Sequence, residues 1–144
     1  MKSKFILSVL AVIMLAAMAF SMLTACGNGS TTSGTASDVA AQDIGQGGTV
    51  FRFEVIDDNE NVKAWNVSTD EATVGDALVA VGLIAGDESA FGLMVTEVNG
   101  LTADYDANES WWKLLIDGEM AVEGVSAIEI ETGKVYVFVY TIGY

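Results

Sequence analysis

Few residues in this chain can do chemistry, and what is missing narrows the choice first. The sequence has 144 residues, with 20 Asp and Glu, 6 Lys and Arg, one Cys and no His. Without imidazole there is no Ser/His/Asp triad, no His-ligated zinc or haem iron, and no side chain that titrates near neutrality when unperturbed. Paired carboxylates can act as acid and base in glycosidases, but carboxylates are so abundant here that any pair can be picked. The expectation is a protein that works by contact, not an enzyme, with no resident metal or cofactor.

Two acidic stretches invite a calcium reading. In "DYDANESWWKLL", Asp104, Asp106 and Asn108 take the first, third and fifth places of an EF-hand loop. Glu109 then stands where Gly is required, and Leu115 where the bidentate Glu belongs. The stretch "DDNENV" from Asp57 fails likewise, with Val62 and Ser68 at those places. Both read as solvated turns in which Asp and Asn bond to nearby backbone; weak calcium binding at either stays open.

The lone thiol is better placed for a role. Residues 1–25 carry Lys2 and Lys4, an apolar run from Phe5 to Phe20 and then small residues, the three-part layout of a secretory signal. The stretch "LTAC", with Leu23 and Ala25 ahead of Cys26, resembles the bacterial lipobox, whose Cys receives a diacylglycerol before the signal is removed. The resemblance implies that Cys26 begins the mature chain and carries acyl chains such as palmitate. At about 0.8 kcal/mol per buried methylene, two or more chains hold a protein at a membrane for long periods. One Cys also excludes a disulfide within the chain. Residues 26–48, "CGNGSTTSGTASDVAAQDIGQGG", lack the apolar content to repay ordering and read as a tether spanning on the order of 25 Å. The expected location is the extracytoplasmic face of a bacterial cell membrane. Loss of Lys2 and Lys4 with the signal leaves 4 basic against 20 acidic side chains, a net charge of about −16. Nucleic acid is therefore not expected as a partner; the charge serves solubility or draws cationic ligands.

The elements that must position any site begin at Thr49. "TVFRFEV" puts Phe51, Phe53 and Val55 on one side and Arg52 and Glu54 on the other, the period of a half-buried strand. A turn at "DDNEN" leads to "VKAWNVS", its hairpin partner. "TVGDALVAVGLIAG" predicts a helix capped by Thr73 and ended by Gly86, with Val74, Leu78, Val81 and Leu83 near one face. "LMVTEVNG", "WWKLLIDG", "AIEIETG" and "KVYVFVYTI" read as strands punctuated by Asn-Gly, Asp-Gly and Thr-Gly turns. The last, apolar on both faces, should lie centrally. Strands, one helix and strands again predict an α+β fold, one sheet with a helix across it.

The stretch "ESWWKLLIDGEMAVEGVSAIEIETGKVYVFVY" resembles the C-terminal module of the cobalamin carriers transcobalamin and intrinsic factor and the bacterial transcobalamin-like surface domains. Trp111 and Trp112 fill the aromatic pair, Leu114–Ile116 the strand, Asp117-Gly118 the turn, and Gly124 and Gly133 the later glycines. The family often has Asn-Gly at the first turn and Gly-Asp where this chain has Gly133-Lys134. The resemblance covers residues 49–144 and implies a small β-grasp-like mixed sheet crossed by one helix. It also implies that "EMAVEG" is the hairpin that approaches a ligand. Met120, Val122 and Glu123 are then ligand-binding candidates beside Trp111 and Trp112, although ordinary hairpin packing also accounts for Met120 and Val122. In a strand the two Trp point to opposite faces, one into the core and the other free to act as a platform.

Two functions of different class stand. One is a lipid-anchored module that captures a corrinoid-like or other small ligand outside the cell for uptake by a transport protein. The alternative is a structural or adhesive module that docks with another surface protein. A ligand module requires an apolar concavity near Trp112 and Met120; an adhesive one, a flat sheet with an exposed edge.

Overall fold

The computed structural model describes residues 37–143; Cys26, the signal sequence and the first part of the expected tether lie outside them. The described chain runs β1 (Ala41–Gly45), β2 (Thr49–Ile56), β3 (Val62–Thr69), α1 (Val74–Ala80), β4 (Ile84–Ser89), β5 (Gly92–Val98) and β6 (Leu101–Thr102). It continues through α2 (Tyr105–Asn108), β7 (Ser110–Ile116), β8 (Glu119–Met120), a 3-10 turn at Val125–Ala127 and β9 (Val135–Ile142).

The strands form two sheets. One has six strands in the order β1-β3-β2-β9-β7-β8, and the other has three in the order β4-β5-β6. Pairing is mixed in the larger sheet, where β1 lies parallel to β3 and β2 parallel to β9, while the remaining neighbours are antiparallel. The smaller sheet is antiparallel throughout.

This corrects the expected fold class. Strands account for 51% and helical turns for 13% of the structure, so the protein is mostly β. The described residues hold two sheets and two short helices, not a small β-grasp sheet crossed by one helix. The difference arises just after α1. The predicted helix was to run to Gly86, but Val81 closes it and Gly82, at φ +70°, turns the chain. A backbone at positive φ suits Gly and cannot continue a right-handed helix. Ile84–Ser89 then form β4, which pairs with β5 and begins the second sheet.

Two further expectations change. Ala41–Gly45, assigned by composition to the flexible tether, form β1 along β3, with the Asn66 amide donating to Asp43 at 2.8 Å. "AIEIETG" is no ladder strand: it leaves the 3-10 turn extended and makes one isolated bridge, Glu129 to Thr73. The "DYDANES" turn carries one helical turn, α2, capped by Asp104, whose carboxyl accepts from the N–H of Ala107 at 3.0 Å.

Strand alternation builds the core. Phe51 and Phe53 of β2, Trp65 and Val67 of β3, Tyr136 and Phe138 of β9, and Trp112 and Leu114 of β7 share one face of the large sheet. Val74, Ala77 and Leu78 of α1, with Ile84 and Val98 of the small sheet, cover that face. Tyr136 stands edge-on to Phe51 at 5.4 Å, and Phe138 to Phe53 at 6.0 Å. As its sequence suggested, β9 is central, between β2 and β7.

Candidate ligand-binding cleft

The cleft is built from chain segments that the core holds in place. On one side is β5, which contributes Leu93, Met94 and Val95; on the other is β7, with Trp111, Trp112 and Leu114. The loop after β8 supplies Met120, Ala121, Glu123, Gly124 and Val125, and Phe138 lies beneath. The cleft is open and has a volume of about 380 Å³, within the range of small-molecule sites.

Local bonding fixes these walls. The Asp117-Gly118 pair, at φ +50° and +87°, makes the tight turn that returns β8 onto β7. The N–H of Ala121 then donates to the Leu114 carbonyl at 2.9 Å. Farther on, the Ser126 hydroxyl accepts from the N–H of Leu93 at 3.0 Å, tying this loop to β5. Behind it, the N–H of Val74 donates to the Ile128 carbonyl at 2.9 Å. Gly75 allows this approach, because a Cβ there would lie 3.1 Å from the Ser126 backbone. The loop is thus fastened to β7, β5 and α1 together.

The structure gathers four of the five sequence candidates. Trp111, Trp112, Met120 and Glu123 all line the cleft. Val122 does not: it is 97% exposed and borders a different recess of about 430 Å³ with Ile116, Ile128 and Glu131. The paired Trp divide as alternation requires. Trp112 is 7% exposed, packed edge-on to Tyr140 at 5.3 Å and Phe138 at 6.5 Å. Its Nε1 is buried and has no hydrogen-bond partner among the described residues. Trp111 is only partly buried; its Nε1 donates to the Gly143 carbonyl at 2.7 Å, and the Lys113 ammonium stands 5.6 Å from its ring centre.

Sequence reading missed the β5 wall and the rim. Leu93, Met94 and Val95 belong to a strand that was expected, but nothing in its periodicity says that it faces β7. Phe91, at the tip of the β4–β5 hairpin, is 94% exposed, and Met94 and Met120 are each 61% exposed. An exposed aromatic in a two-residue turn was the available signal. A second recess of about 450 Å³ adjoins the cleft, sharing Met94, Val95 and Trp111 with it, and is bordered by Asp87, Asp104 and Asp106. Even so, no group of three or more His, Cys, Asp or Glu among the described residues is placed to hold a metal ion.

No curated protein matches the chain. Residues 71–141 match the profile of a family described as a domain of unknown function (DUF4430). That span runs from the approach to α1 almost to the end of β9 and includes every wall of the cleft. Among solved structures, a crystal structure of a Ruminococcus gnavus protein, provisionally described as metal-binding, superposes with a TM-score of 0.64 at 24% identity. The match covers 67% of this chain and 100% of that one. Haptocorrin in complex with Cbi superposes with a TM-score of 0.55 at 18% identity, over 67% of this chain and 25% of haptocorrin. At these identities the likeness establishes a shared fold. It supports the transcobalamin-like resemblance at the level of architecture.

Proposed function

We propose that this domain is a binding module whose ligand is a flat, largely apolar small molecule held in the cleft between β5 and β7. The observation that carries the reading is the cleft itself: an apolar concavity beside Trp112 and Met120, where a docking surface would be flat. Both solved neighbours are described as binding or ligand-bound proteins, which supports binding as the role. Haptocorrin, which shares the fold, was crystallised with Cbi, so corrinoids head the candidate list. A lipid on Cys26 would present the module outside the cell, where it passes its ligand to an uptake protein. Calorimetry of the full-length protein with a panel of corrinoids tests the ligand: saturable heat supports it, and uniform absence of heat from a folded protein removes corrinoids. Mass spectrometry tests the anchor; a mature chain beginning anywhere other than an acylated Cys26 removes it.

A second reading, docking with another surface protein, is favoured by Phe91 and Val122. Apolar side chains exposed at 94% and 97% beside a cleft are groups that a partner would cover.

A further inference from the structure

Two abutting segments carry apolar side chains that the fold leaves bare. The β4–β5 hairpin has Phe91 at its tip and Met94 just beyond, and the chain from β8 onward has Met120 and Val122; all four are exposed, Phe91 and Val122 almost completely. The segments are fastened to each other. The N–H of Leu93 donates to the Ser126 hydroxyl, a Cβ at Gly92 would lie 3.0 Å from the Ser126 Cβ, and a Cβ at Gly124 would lie 3.6 Å from the Phe91 carbonyl oxygen. Phe91 therefore stands beside the loop that bears Val122. An aromatic ring, two adaptable methionines and a branched aliphatic chain, bordered by charge, are what the centre of a protein interface is made of.

Charge selects the occupant. On the same segments Asp87, Glu88, Glu119, Glu123 and Glu129 are exposed, and none of them is in an ion pair among the described residues. From residue 64 to residue 133 the sequence has one basic side chain, Lys113. A second copy of this chain would set these carboxylates against their own kind, and an anionic lipid surface would repel them. Residues 27–36, just ahead of the described chain, offer neither a basic nor a large apolar side chain. We infer that this face docks a segment of another protein in which Lys or Arg flank apolar side chains. The apolar groups cover Phe91 and Val122, and the cations meet the carboxylates. Resting on the docking reading, this adds the chemistry of the partner.

Three amphipathic peptides of equal length, Leu/Lys, Leu/Glu and Ser/Lys, titrated into full-length ¹⁵N-labelled protein, decide the matter. The Leu/Lys peptide is expected to bind saturably, to shift the amides of residues 91–94 and 120–124 most, and to weaken as salt is raised. Phe91→Ser with Val122→Ser removes two side chains outside the core, so the variant keeps its fold, and it should bind that peptide about tenfold more weakly. Unchanged affinity in the variant overturns the inference. Equal binding of the Leu/Glu peptide at the same residues leaves a docking face but overturns its basic partner. Ser/Lys binding as tight as Leu/Lys, with shifts spread over the acidic surface, overturns it in favour of general charge attraction. Shifts at these residues that follow protein concentration without peptide give the face to a second copy and overturn it too. If none of the peptides moves them, the docking reading itself falls.

Discussion

Trp111 and Trp112 are adjacent, and one step along a strand gives them opposite surroundings. That alternation was legible in the sequence because the period of a strand is two. The unpaired Nε1 of Trp112 was not, since hydrogen-bond satisfaction depends on residues distant in the chain. Asp57 makes the opposite point for an acidic cluster, because its partners are two and four residues away. Its Oδ1 accepts from the N–H of Asn59 and of Asn61, each at 2.9 Å, and the Asn61 amide reaches both carboxyl oxygens at 3.2 and 3.1 Å. Some loss of solvation pushes this carboxyl up, but the bonds from Asn61 and Asn59 and the charge of Lys63 together outweigh it and hold it below its ordinary 3.8. The turn reading of "DDNEN" is thereby given its physical content. A carboxyl depressed in the folded state contributes stability above its unfolded pKa, and the contribution is lost as pH falls through the folded value. Titration of the Asp57 carboxyl by ¹³C NMR should give a midpoint below 3.8, and Asn61→Ala should raise it; a wild-type midpoint at or above 3.8 contradicts this.

Among the elements, those with strong local signals were readable and those made by tertiary pairing were not. β2, β3, β5, β7 and β9 follow their patterns, and the start of α1 follows its cap. Thr73 Oγ1 accepts from the N–H of Asp76 at 3.1 Å and donates to the Asp76 carboxyl at 2.8 Å. Thr73→Ala should destabilise the protein by about 1 kcal/mol, read as a lower urea midpoint with unchanged slope; an unchanged midpoint shows that packing alone holds α1. The end of α1 was misjudged because Gly82 and Gly86 are both plausible stops, and only the pairing of β4 with β5 decides between them. β1 was missed for a different reason. "AQDIG" has one residue, Ile44, that packs on the core, so no apolar period marks it, and its order comes from parallel pairing with β3. The cleft lies between elements of different sheets, which no local pattern specifies.

For the whole molecule, the back of the large sheet decides how the chain enters the fold. Glu54 is 2% exposed, and Arg52 Nε stands 2.6 Å from its carboxyl. The same guanidinium donates to the carbonyls of Ser37 and Val39 at 2.9 and 2.8 Å, while the N–H of Ser37 donates to Glu54 at 3.1 Å. Arg52 therefore clasps the segment that leads into β1. A buried carboxylate stripped of its partner is costly, so Arg52→Ala should destabilise by on the order of 3 kcal/mol and speed hydrogen exchange over residues 37–45. Stability and exchange both at wild-type levels contradict the clasp. This fastening of residues 37–39 lies on the face of β2 opposite the core side chains Phe51 and Phe53.

The central claim is that ligands enter between β5 and β7, and the three tryptophans report on it within one spectrum. Trp65 stacks on Phe53 at 5.8 Å in the core and does not line the cleft, whereas Trp111 and Trp112 do. The indole region of a ¹H–¹⁵N spectrum of the full-length protein, followed while the corrinoids are added in turn, should show the Trp111 and Trp112 signals moving with saturable binding and the Trp65 signal staying in place. Saturable binding that moves only Trp65, or none of the three, or no binding by any of these compounds, contradicts the account.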